Sequence, residues 1–276
     1  MDLRQQEREN LEIELLVEAV YRYYGFDFRE YAPASLRRRI LKVCGLEGVP
    51  TITALLERLL HSPDCLERFV EALSVNVTAM FRDPEFFQAF RKKVVPVLKT
   101  YPSIQIWNAG CSTGEEAYSL AIVLEEEGLY SRTRIYATDI NAGVLKKAKE
   151  GIFPLEDMKE YTTNYMKAGG EKAFSEYYSA NYGSAIMRPA LSRNITFFQH
   201  NLVTDGSFNK FNVICCRNVT IYFNKILKNR VHGLLYNSLV NFGILGLGSK
   251  ESIHFTPYER HYEQIEKPVS LYRKIG

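Results

Sequence analysis

The chain changes character near residue 102, and that change limits its fold more than any other feature. Downstream of Tyr101 and Pro102, short β-rich runs alternate with helical stretches: IQIWNA (104–109), a helix over about 115–127, RIYATD (134–139) and a helix over 142–150. Strand, helix, strand, helix in that order predicts a parallel sheet with crossover helices. Further strands are expected at ITFFQH (195–200), FNVICC (211–216) and GILGLG (243–248), with a helix over 225–239 before the last and a closing hairpin from YEQIE and SLYRK. Between 151 and 193 the rhythm breaks into a Tyr-rich, Gly-containing stretch too long for an ordinary connection. An inserted small β-subdomain over about 155–193 is the economical reading.

Upstream, apolar residues recur at helical spacing: Leu15, Leu16, Ala19, Val20 and Tyr23, then Leu55, Leu56, Leu59 and Leu60, then Phe69, Ala72, Leu73 and Val77. Residues 1–98 therefore read as a helical N-terminal domain with a linker helix, and 99–276 as the α/β domain. Asp83-Pro84-Glu85 has the signature of a helix start, with Asp83 as the capping side chain.

Composition narrows the class of partner. A formal net charge of +3 over 276 residues is too mild for a nucleic-acid-binding surface. The opening MDLRQQERENLEIELL lacks the apolar core of a signal peptide, and no uncharged run is long enough to span a bilayer. A cytoplasmic protein without direct membrane insertion is expected. The five cysteines (44, 65, 111, 215 and 216) form no C-x-x-C pair and read as reduced core residues, with no metal site.

The turn after the first strand, GCSTG (110–114), matches the nucleophile-elbow pattern G-x-S-x-G at Ser112. A hydrolase would also need an oxyanion loop from an earlier strand and a triad histidine. No earlier strand is expected, and nothing marks His232, His254 or His261 as that partner. As a nucleotide turn the same residues do more. Gly110 and Gly114 would let the turn run close to a ligand, and Asp139 at the end of the next strand can accept from ribose hydroxyls. Glu115 and Glu116 would repel a pyrophosphate, so a nucleoside without phosphates, such as S-adenosylmethionine, fits better.

Several ordered blocks then show what the chain resembles. NVTAMFRD (76–83) matches N-x-T-x-F-F-R-D, 107–120 resembles W-x-A-G-C-S-T-G-E-E-P-Y-S-L, and Ala137-Thr138-Asp139 matches A-T-D. Asn201-Leu202 matches an N-L block, CRNVTIYF (216–223) matches C-R-N-V-x-I-Y-F, and 248–252 is similar to G-H-S-E-S. The sequence is thereby similar to the CheR family of chemotaxis receptor methyltransferases over nearly its whole length.

The resemblance implies a Rossmann-like methyltransferase that moves a methyl group from S-adenosylmethionine to receptor glutamates, leaving S-adenosylhomocysteine. It implies that Asn76, Thr78 and Arg82 close over the cofactor, that Glu115 and Asp139 share its amino-acid and ribose ends, and that Gly110 lies in its turn. Asn201 and Leu202 would flank the adenine, Cys216, Arg217 and Asn218 would line the methyl-donor end, and Tyr222 would face the substrate. The implied partners are a chemoreceptor's cytoplasmic helical bundle and, at the β-subdomain, a receptor C-terminal peptide. The sequence departs from the pattern at Met80, Ala117 and Ser249-Lys250. The last pair leaves open a signalling adaptor that binds the cofactor or its product without transferring the methyl group, and another carboxylate acceptor is a further alternative.

The chemistry agrees with the absence of a His-acid constellation. A glutamate carboxylate, with a pKa of about 4.3, is already ionised near neutral pH and needs no general base. Arg82 and Tyr222 are the candidate aligning, catalytic side chains. The run SLRRRILK (35–42) puts Arg37, Arg38 and Arg39 on a helix with no acid among them, a candidate surface for the acidic receptor region.

Overall fold

The structure, a computed structural model, describes residues 3–73 and 78–276. Asn76 and Val77 of the first sequence block lie outside the described residues. Four helices open the chain: α1 (Leu3–Tyr24), α2 (Pro33–Glu47), α3 (Ile52–His61) and α4 (Pro63–Leu73). Their shared core is built on Leu16, Val20, Ile40, Leu55, Leu59 and Phe69. Leu15 and Tyr23, expected on the apolar face of α1, are exposed, so its buried stripe is narrower than the periodicity implied.

A helical segment leads to the sheet as α5 (Pro84–Ala89), a π-helical turn (Phe90–Val94) and α6 (Val95–Leu98). Pro84 opens it as expected, but Asp83 does not cap it. Asp83 is in the left-handed region at φ 55°, and its carboxylate accepts from Arg217 instead.

The strands and crossovers follow as β1 (Ile104–Ala109), α7 (Glu115–Glu126), β2 (Thr133–Asp139) and α8 (Ala142–Glu150). The insertion holds β3 (Ile152–Pro154), α9 (Met158–Lys167), β4 (Tyr178–Asn181) and β5 (Ser184–Met187), and α10 (Pro189–Ser192) returns the chain to the main sheet. There it forms β6 (Ile195–Gln199), β7 (Phe211–Cys216), α11 (Lys225–Ser238), β8 (Leu239–Leu247), β9 (Tyr262–Glu266) and β10 (Leu271–Lys274).

The main sheet has seven strands in the order β6-β2-β1-β7-β8-β10-β9. The first five run parallel, while β10 pairs antiparallel with both β8 and β9, giving the expected closing hairpin. Strand β8 begins four residues before the GILGLG run because the register slips opposite Phe211 to Val213. The insertion is a separate antiparallel sheet, β3-β5-β4. Strand order reverses between β1 and β7, and in open α/β sheets ligands bind beyond the strand ends at such a point.

Candidate active site

A cleft opens at that switch point, about 1080 Å³ with its open, solvent-filled mouth included. Its walls come from three parts of the chain: Tyr31 and Leu73 from the helical domain, Thr78 and Arg82 from the segment before α5, and the loops after β1, β2, β6 and β7.

Asp139 ends β2 and is buried at the cleft. Burial pushes its carboxyl up from the usual value, and hydrogen bonds from the N–H groups of Asn141 (3.0 Å, to Oδ1) and Ser112 (2.9 Å, to Oδ2) oppose that shift. Asn141, rather than Asp139, caps α8 by accepting from Gly143 and Val144.

The turn residues divide their work. Gly110 lines the cleft at φ +77°, and a Cβ there would lie 2.4 Å from Val219, so its missing side chain lets the 218–219 loop close in. Gly114, at φ +97°, instead admits α8, since a Cβ would come within 3.0 Å of Ala148. Ser112 also stands in the left-handed region, at φ 49°. No hydrolase triad accompanies it among the described residues: His232 is buried on α11, His254 pairs with Glu259, and neither His261 nor those two lines the cleft. His200 does line it, but its Nε2 is 3.0 Å from the Gly206 carbonyl.

The segment around Arg82 is fixed from below. Phe81 and Asp83 on either side of it adopt φ of 53° and 55°, conformations that cost about 1–3 kcal/mol each for non-glycine residues. Arg217 grips the turn, donating from Nη2 to the Arg82 carbonyl and to Asp83, both at 2.9 Å, and from Nη1 to Glu116 at 2.5 Å. Its guanidinium is almost fully buried and lies 4.1 Å from the centre of the Phe86 ring. Arg217 and Glu116 thus border the cleft with their charges spent on each other and on the turn.

Asn218 follows β7 at φ 60°. Its N–H donates to Glu251 at 2.6 Å, and the N–H groups of Val219, Thr220 and Gly248 converge on the same carboxylate at 3.0, 2.7 and 2.8 Å. Glu251 therefore shapes the loop that presents Asn218, a role the sequence block did not reveal. Asn201 and Leu202 lie together on the wall after β6, and the Asn201 carboxamide accepts from the Val203 N–H at 2.9 Å.

Two expected contacts fall elsewhere. Glu115 is buried away from the cleft and accepts from the Thr113 hydroxyl at 2.7 and 2.8 Å; its neighbour Glu116, one helical step on, faces the cavity. Cys216 is in the core behind the cleft, where burial pushes its thiol well up. The arginine run also divides. Arg38 is exposed, Arg37 pairs with Glu9, and Arg39 is buried, donating to the Leu73 carbonyl with its guanidinium 4.3 Å from the centre of the Tyr222 ring. Consecutive helical residues point about 100° apart, so three in a row cannot share one surface. Ser249 and Lys250 are exposed and line no part of the cleft, while Met80 and Ala117 are core residues.

Comparison with known proteins agrees with this geometry. The family described as CheR methyltransferase, SAM binding domain, matches residues 76–269, and CheR methyltransferase, all-alpha domain, matches 11–74. Cher3 of Pseudomonas putida, a protein named as a methyltransferase, is 50% identical over 96% of this chain and 97% of its own. The chemotaxis protein methyltransferase of Listeria innocua and chemotaxis protein methyltransferase 1 of Pseudomonas aeruginosa are each 30% identical over 85% of this chain and 87% of theirs. The chain belongs to the CheR methyltransferase family, enzymes that use S-adenosylmethionine.

Proposed function

We propose that the chain transfers the methyl group of S-adenosylmethionine to glutamate carboxylates on the cytoplasmic helical bundle of a chemoreceptor, forming methyl esters. The relatives named as chemotaxis protein methyltransferases support this reading. One observation beside the cleft carries it. Arg39 is buried against Tyr222 and Leu73, both cleft residues, and no carboxylate among the described residues pairs with it. A buried cation without a counter-ion is costly, and an acceptor carboxylate entering beside Tyr222 would supply one.

The cleft also suits the cofactor. Asp139 accepts two backbone N–H groups and keeps lone pairs for ribose hydroxyls. Ile140, Leu202 and Val203 offer apolar surface to a base, with Asn201 beside them. Thr78, Arg82, Gly110 and Asn218 border the remaining length. Once bound, the cofactor supplies a methyl group on a cationic sulfur, and a neutral thioether leaves. Because the acceptor is already ionised, the work of this chain is alignment. Arg82 and Tyr222 hold the carboxylate in line, and Tyr31 and Leu73 shield it from water, so that proximity provides most of the rate. The exposed edge strand β4 offers unpaired backbone groups to an extended receptor C-terminal peptide.

The test is incubation with methyl-labelled S-adenosylmethionine and receptor-containing membranes. Base-labile label on the receptor, abolished when its acceptor glutamates are replaced by alanine, supports the proposal. Binding of S-adenosylhomocysteine without label on any receptor would reject the receptor as substrate.

A further inference from the structure

The strained turn that carries Arg82 is held on one side by Arg217 and on the other by the insertion. The ring of Phe81 is fully buried in an aromatic box, with centroids 5.1 Å from Phe87, 5.3 Å from Tyr165 and 6.1 Å from Phe174. The Phe81 N–H donates to Ser119 Oγ at 2.9 Å. One residue earlier, the carbonyl of Met80 accepts from Asn164 Nδ2 at 3.2 Å. Tyr165 and Asn164 belong to α9 and Phe174 to the turn that follows it, and none of the three lines the cleft. The insertion is itself anchored to the main domain, since the hydroxyls of Tyr165 and Tyr177 both donate to Glu126 on α7.

Left-handed backbone at a non-glycine residue persists only where its surroundings over-determine it. Ser119 holds the Phe81 amide and Phe87 of α5 one side of its ring, but the rest of the aromatic box and the preceding carbonyl are held by the insertion. Without those contacts the turn can relax, and Arg82 leaves the posture in which it faces the cleft.

We propose that Asn164, together with the Tyr165 and Phe174 rings, positions Arg82, so that the insertion sets cofactor affinity from outside the cleft. This rests on the reading that Arg82 contacts the cofactor. The insertion is then more than a possible docking sheet; by reciprocity, whatever strains or steadies α9 changes affinity in the cleft, and cofactor binding steadies α9 in return.

The experiment is calorimetric titration of the full chain with S-adenosylhomocysteine, with circular dichroism confirming that each variant is folded at the working temperature. Asn164→Ala is expected to weaken binding about fivefold, the usual worth of one such hydrogen bond. Asn164→Asp, which keeps the shape but sets a carboxylate against the Met80 carbonyl, is expected to weaken it further. Phe174→Leu supplies a second route should either Asn164 variant fail to fold, with a loss of similar size. Arg82→Ala separates positioning from general destabilisation: in that background Asn164→Ala and Phe174→Leu are expected to cost nothing more. Variants that bind like the parent, or losses that are unchanged in the Arg82→Ala background, would overturn the proposal. No binding by the parent chain would instead reject the reading of the cleft.

Discussion

Glu251 shows how a single side chain can shape a site without touching its ligand. Four backbone N–H groups and the Thr220 hydroxyl converge on its carboxylate. Replacing it with Gln would set an amide N–H₂ against donors at one of its two positions. Glu251→Gln is expected to cost about 3 kcal/mol, read as a lower urea midpoint with an unchanged slope, because charge-assisted hydrogen bonds are lost and a donor is left facing donors. Unchanged stability would mean that the loop is held by something else. Asp139 makes a second prediction. Its carboxyl is raised by burial, so it takes up a proton at a higher pH than an ordinary carboxylate. Only the ionised form accepts from two ribose hydroxyls while keeping both backbone N–H bonds. Affinity for S-adenosylhomocysteine should therefore be full above the raised pKa and fall as pH drops through it, whereas Asp139→Asn should bind weakly with little pH dependence over that range. Affinity in the parent chain that stays flat down to the ordinary carboxylate range would reject this role. Asp139 was legible in the sequence because a strand-end acid after a glycine turn is a local pattern. The structural roles of Glu251 and Arg217 were not, because, Gly248 apart, their partners lie 31 to 33 and 101 to 135 residues away along the chain.

At the scale of elements, the parallel strands could be read because they are buried on both faces and appear as continuous apolar runs, as FNVICC does with all six residues buried. The early start of β8 could not, because a register slip leaves no mark in composition. Helix α2 shows a different limit: a run of charge says nothing of direction, and one of its three arginines turned into the seam beside Tyr222. The glycine turn was legible as a turn, but its two glycines serve different neighbours. Gly114 packs against α8, so Gly114→Ala combines a left-handed alanine with a Cβ at 3.0 Å from Ala148. A loss of about 2 kcal/mol is expected from the conformational cost and the close contact. Affinity at a temperature where the variant is folded should change little, since Gly114 lines no part of the cleft. A variant as stable as the parent would show that α8 moves away freely.

The whole molecule is joined at a seam between segment 30–32 of the helical domain and segment 222–224 of the α/β domain. Two domains could be read from the change of rhythm near residue 102, yet the segment 30–32 bonds directly to 222–224. The Ala32 N–H donates to the Tyr222 carbonyl at 2.9 Å, the Asn224 N–H to the Glu30 carbonyl at 3.0 Å, and the rings of Tyr31 and Phe223 meet at 5.2 Å. Periodicity cannot reveal such a junction, because each side is patterned for its own core. The cleft draws walls from both sides of the seam, with Tyr31 and Leu73 opposite Asp139 and Asn218. A ligand in the cleft therefore contacts both domains, and its binding energy is lost when either unfolds. Scanning calorimetry should show one transition that S-adenosylhomocysteine moves upward as a whole. At a hundred times its dissociation constant the ligand adds about 2.7 kcal/mol, enough to raise the midpoint by roughly 5–10 °C in a chain of this size. Tyr31→Ala removes an apolar wall and half of the ring contact across the seam, so it should shrink the ligand-induced shift and begin to separate the transition into two. Two transitions in the parent chain, with only the later one moved by the ligand, would mean that the helical domain folds beside the cleft without closing it.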